Sequence, residues 1–234
     1  MIVTPALPTG LSLTAPRPQP ASQSKGPEEP RESVEIARQI TTLGSPGKTG
    51  EQSGLSLAGR LSGPVGLTAA MWGLEILDTA LGNRLDALAI VPRTPEGLLG
   101  IATAPFLHRG FEHLGSNSVG LLLAGGMIAA QSPKKFSQVS LITALASGLG
   151  YWLTGPSPGI GASGMVYGYI GYAMARGVFE HKPVPIAVSI ASTLLFAGSL
   201  PGLLPGLPGV GWQAHLVGFA AGVAAAAILP KDGK

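Results

Sequence analysis

The sequence predicts an all-α membrane protein, a bundle of six transmembrane helices behind a disordered N-terminal tail. Three observations carry that expectation. Only 12% of the 234 residues are charged and 45% are hydrophobic, whereas a soluble globular domain carries roughly 25% charge. The 35 glycines and 21 prolines would suggest low complexity by themselves, but polar and apolar segments lie apart in the chain. From residue 61 to residue 234 the chain is a series of apolar runs cut by proline, glycine or charge.

Residues 1–60 hold 6 of the 15 lysines and arginines and 5 of the 12 acidic residues, with Pro, Gly, Ser and Thr filling most of the remainder. Such a segment cannot bury enough apolar surface to order itself, so it is expected to be a disordered cytoplasmic tail. Its start has no positive region and a proline at position 5, which does not read as a secretory signal. Within it, Val34, Ile36 and Ile40 of the stretch Arg31–Ile40 form a weak helical pattern, enough for a transient helix only.

A spanning helix needs about 20 mostly apolar residues. Six stretches qualify: 63–82, 113–130, 136–153, 161–179, 184–200 and 212–229. Five have no Asp, Glu or Lys in their interiors, and Arg176 is the one basic group among them. The first carries Glu75 and Asp78, which share a helical face and should point into the bundle or toward the interface. No chemistry is assigned to them; helix solvation or a loop contact is the expectation.

Six spans put both termini on one side, and the positive-inside bias selects it. Arg60, Lys134, Lys135, Arg176, Lys182, Lys231 and Lys234 fall on the tail side; Arg84, Arg93 and Arg109 fall on the other, in one long loop. Both termini are therefore expected in the cytoplasm. Spans two, four and six then run inward from the outer face, and their first turns hold His113 and Asn117, Ser163, and His215. Polar groups at membrane depth are costly unless paired and mark function by default.

Gly218 and Gly222 continue the face of His215, and Gly164, Gly168 and Gly171 make a similar seam on span four. Small residues of this kind let helix backbones approach closely, so span four is expected against span six, with Ser163 near His215. A serine hydroxyl becomes a useful nucleophile when an adjacent base takes its proton, and neutral imidazole is such a base. No carboxylate in spans two to six could complete a triad. The N–H groups at a helix start have no internal partner, so Ser163 can offer its own N–H to an oxyanion. His113 and Asn117, four residues apart, could donate to the same oxygen. Gly161 and Gly164 flank the serine and leave room for a substrate backbone.

These residues resemble the rhomboid family of intramembrane serine proteases. G-A-S-G-M-V-Y-G at Gly161–Gly168 resembles the family's G-x-S-G motif with a tyrosine four residues on. H-L-G-S-N at His113–Asn117 is similar to its H-x-x-x-N, and A-H-L-V-G-F-A-A-G at Ala214–Gly222 to the histidine motif of its sixth span. The stretch Gly100–His108 is similar to the approach to its second span. The resemblance covers residues 63–230 and implies a six-helix bundle with Ser163 as nucleophile and His215 as general base. It also implies an oxyanion hole of Asn117, His113 and the Ser163 N–H, with Tyr167 packed against His215. A loop, residues 83–112, would lie partly in the membrane, and span five with Leu200–Gly211 would gate substrate entry. His108 would hold the loop rather than react.

The implied activity is hydrolysis of a peptide bond in a transmembrane protein near the outer leaflet, in a bacterial plasma membrane. Substrates would be single-pass or multi-pass proteins with helix-weakening residues near their outer ends, because a spanning helix hides its carbonyls in internal hydrogen bonds. No metal-ligand spacing or phosphate loop is present, so no cofactor, metal or nucleotide is expected. The scattered basic residues, a net charge of +3, do not form a nucleic-acid surface. Two rival readings are a rhomboid-like protein that binds transmembrane clients without cutting them, and a small transporter. The first would be expected to lack Ser or His at these motifs; the second needs polar groups along a continuous path.

Overall fold

The computed structural model describes residues 54–231, and there the secondary structure is helical apart from one isolated antiparallel bridge between Ile90 and Gly159. The tail and the Arg31–Ile40 stretch fall outside the described residues, except that residues 57–60 are helical. Helix α1, Leu57–Ala80, starts there because the Ser56 hydroxyl accepts the Gly59 N–H at 3.2 Å. Its 24 residues extend about 36 Å.

A long loop follows, with a 3-10 turn at Arg84–Leu88, helix α2 at Pro95–Thr103 capped by Thr94, and a second 3-10 turn at Ala104–Phe106. Helix α3, Phe111–Gly120, runs without a break through a wide π-helical turn at Leu121–Gly125 into α4, Gly126–Gln131. Ser132 then caps α5, Pro133–Thr154, whose first residue is the proline favoured at that position. Helix α6, Ser163–Glu180, ends where His181 adopts a left-handed conformation, φ 53°. Helix α7, Pro183–Phe196, tightens into a 3-10 segment at Ala197–Leu203, and α8 covers Trp212–Ile228.

These rods follow the six apolar stretches closely. Hydropathy alone marks them unevenly: among the described residues, one stretch, Pro183–Leu203, is long and apolar enough to cross a membrane, with mean hydropathy 1.7. Trp212–Ile228 is apolar but shorter, at 17 residues. The outward faces of the rods are nonetheless apolar. Leu141, Leu145, Leu149 and Leu153, one turn apart on α5, are each about half exposed or more, a stripe that would be anomalous on a water-soluble monomer.

The core forms around Met71, Leu114, Leu121, Ile128, Val139, Tyr169 and Ile170. Helices α6 and α8 approach most intimately. A methyl group on Gly218 would overlap the Gly164 carbonyl oxygen, one on Gly222 the Gly168 carbonyl oxygen, and one on Gly171 the Phe219 carbonyl oxygen. Only glycine lets backbone lie on backbone in this way.

At the end of the bundle away from Ser163 lies a buried charge network. Arg176 Nε donates to Glu180 Oε1 at 2.6 Å and its Nη1 to Gln131 Oε1 at 2.8 Å; Lys135 Nζ reaches Glu180 Oε1 at 3.1 Å. Lys135 and Arg176 enter the sequence argument as topology-setting charges, but here both are buried and bound to one carboxylate. Glu75 and Asp78, without an assigned role in the sequence, anchor the long loop. Glu75 Oε1 accepts the Gly110 N–H at 2.8 Å and Asp78 Oδ1 the Leu85 N–H at 2.7 Å.

Candidate active site

The serine is positioned from both sides. Before it, residues 155–162 are bound to the long loop: Ile90 and Gly159 exchange N–H···O bonds of 2.9 and 3.0 Å, and the Gly161 N–H donates to the Ala104 carbonyl at 2.9 Å. The Ala162 N–H donates to His108 Nε2 at 3.3 Å. After it, the α6 backbone lies on α8. Gly161 has φ +117°, a conformation that L side chains rarely adopt. That turn delivers Ser163 as the first residue of α6, where its N–H has no partner within the helix.

His215, on the first turn of α8, is 8% exposed, and its Nε2 lies 2.8 Å from Ser163 Oγ. Nδ1 lies 3.0 Å from the Gly202 carbonyl oxygen. The Tyr167 ring stacks on the imidazole with centroids 4.2 Å apart and planes 18° from parallel, and its hydroxyl donates to the Ser199 carbonyl at 2.7 Å. A histidine with a carbonyl on one nitrogen and a serine on the other has the arrangement of a base with an orienting partner. The partner is a main-chain group.

Asn117 and His113 lie on the other side of the serine's approach. A methyl group built on Gly161 would come 2.6 Å from His113 Cε1 and 3.4 Å from Asn117 Nδ2. Asn117 is 6% exposed, and its Nδ2 has no hydrogen-bond partner in the protein. An unpaired buried donor is costly, and Asn117 lines a cavity. That cavity, about 1070 Å³, is lined by Ser163, His215, Asn117 and His113, and also by Phe196 and Ser199.

Gly164 lines the same cavity and also serves packing. A methyl there would meet Ser147 Cβ and Oγ at 2.6 Å, so its lack of a side chain lets α5 and α8 pack closely. His108 is 1% exposed and forms an edge-to-face pair with His113, ring centroids 5.2 Å apart. Burial first, and then the nearby His113, hold its imidazole down at about 4, against a partial opposing effect of the Phe106 backbone. It is a neutral acceptor holding the loop. In that loop, burial and the neighbouring Asp78 push the Asp86 carboxyl up, while Arg109 pulls it back. Gly202 and Ser199 escape sequence reasoning because each contributes only a carbonyl. Among the described residues, no group of three or more His, Asp or Glu is placed to hold a metal ion.

The family model described as Rhomboid domain matches residues 95–232. A protein of Mycobacterium tuberculosis strain H37Rv is 34% identical over 171 residues, covering 69% of this chain and 71% of its own length. A Mycobacterium bovis protein matches to the same extent, and one from Mycobacterium leprae is 33% identical over 173 residues, covering 69% and 68%. All three are named only as uncharacterized proteins.

Proposed function

The chain belongs to the rhomboid family, whose members are membrane proteins, and on that premise we propose that it is an intramembrane serine endopeptidase cutting transmembrane proteins near the outer leaflet. The observation that carries this reading is the 2.8 Å contact between Ser163 Oγ and His215 Nε2. In the proposed arrangement the six long rods span a bacterial plasma membrane, both termini are cytoplasmic, and the cavity opens near the outer surface.

His215 Nε2 takes the hydroxyl proton as Ser163 Oγ attacks the scissile carbonyl, forming a tetrahedral oxyanion. The Ser163 N–H, Asn117 Nδ2 and His113 supply donors to that oxygen. The imidazolium then protonates the leaving amine, and the C–N bond breaks to give an acyl-enzyme. Water, deprotonated by His215, attacks the ester; collapse releases the acid and returns the proton to Ser163. A spanning helix must unwind locally before its carbonyl can be attacked, so substrates with glycine or alanine near the cut site are expected.

The test is labelling of the purified protein by a fluorophosphonate probe. Wild type should label, and Ser163→Ala and His215→Ala should not. Equal labelling of all three, or of none, would remove the protease reading and leave a client-binding one.

A further inference from the structure

A carbonyl oxygen can only accept a hydrogen bond. The 3.0 Å contact of Gly202 O with His215 Nδ1 therefore places the proton of the neutral ring on Nδ1 and leaves the Nε2 lone pair facing Ser163. Gly202 sits in the 3-10 segment Ala197–Leu203, and Ser199 of the same segment accepts the Tyr167 hydroxyl. Both bonds thus run from one short stretch of backbone to the imidazole and to the ring stacked on it. The fit is tight, since a methyl on Gly202 would overlap the Tyr167 hydroxyl.

The same segment borders the cavity through Ser199. Gly198 within it, and Gly206 and Gly209 beyond it, have open space where a side chain would stand, and the last two have φ of +120° and +74°.

Resting on the protease reading, we infer that the segment Ala197–Leu203 is a positioning element for the base. With the Gly202 carbonyl over Nδ1, His215 is held in the tautomer and orientation that accept the Ser163 proton.

The experiment uses the full chain in lipid nanodiscs with 15N-labelled histidine, His215 being assigned as the signal missing in His215→Gln. Wild type should show a protonated Nδ1 and an unprotonated Nε2. In Gly202→Ala the two nitrogens should move toward averaged shifts, and fluorophosphonate labelling of Ser163 should slow about tenfold or more, as expected for a base no longer held in one tautomer. Tyr167→Phe adds no bulk, keeps the stacked ring and loses one tether; labelling should slow about threefold. It decides the matter if Gly202→Ala does not fold. Wild-type tautomer and labelling within twofold in both folded variants would overturn the inference. A wild type with the Nδ1–H tautomer, sensitive to Gly202→Ala, but with no labelling of Ser163, would instead remove the protease reading and keep the orienting contact.

Discussion

Asn117 and His108 are both buried, and each keeps one nitrogen without a partner in the protein, yet they answer to different experiments. Asn117 lines the cavity that holds Ser163, and its expected role is toward an oxygen bound there. Asn117→Ala should lower kcat by about 100-fold or more, the effect of deleting one oxyanion donor, with little change in melting temperature; equal losses in kcat and stability would make it a packing residue. His108 accepts an N–H through Nε2 and does so as a neutral ring. Its folded pKa of about 4 lies below the ordinary 6.5, so the unfolded chain binds the extra proton between those values. Stability is complete above pH 6.5 and is lost as pH falls toward 4, by about 3 kcal/mol from this group. Thermal unfolding from pH 7.5 to 4.5 should show that loss, and His108→Gln should flatten it. The type and spacing of Ser163, His215, His113 and Asn117 were legible in the sequence. The acceptors that orient them, the carbonyls of Gly202 and Ser199, were not, since every residue carries one.

At the scale of helices, glycines that look alike in the sequence divide into two kinds. Gly218 and Gly222 lie where a side chain would meet α6 backbone, whereas Gly73 on α1 has nothing within 4 Å. Gly218→Val cannot be relieved by a rotamer change, because the obstacle is a carbonyl. It should destabilise the protein by about 3 kcal/mol, measured as loss of monodisperse protein on heating. Gly73→Ala should be neutral or stabilising, by up to about 1 kcal/mol; a matching loss at Gly73 would contradict the assignment of the α6–α8 contact as the special one. The i, i+4 spacing of small residues pointed to this pair of helices. It could not reveal that Gly164 yields its space to Ser147, which comes from α5 and is set by how three helices meet.

Across the whole molecule, polar groups gather at opposite ends of the bundle. One end holds the proposed dyad; the other holds Glu180 between Arg176 and Lys135. Removing the anion from such a buried network leaves two cations desolvated without it, a loss of about 3–5 kcal/mol. Glu180→Ala should therefore destabilise far more than Glu112→Ala on an exposed turn, and equal melting temperatures would show the network to be dispensable. A reporter fused after Lys234 should lie in the cytoplasm, and an external reporter would overturn the six-span topology. The sequence by itself marked the rods to within a few residues, apart from the start of α1 at Leu57, and marked which residue types could do chemistry, because hydropathy, caps and side-chain character are local properties. Tertiary structure alone decided that Glu75 holds the Gly110 end of a loop, that Lys135 joins Arg176 on the Glu180 carboxylate, and that a glycine carbonyl stands over the imidazole. Each of those is a meeting between different elements of the fold, made by groups whose partners no local pattern encodes.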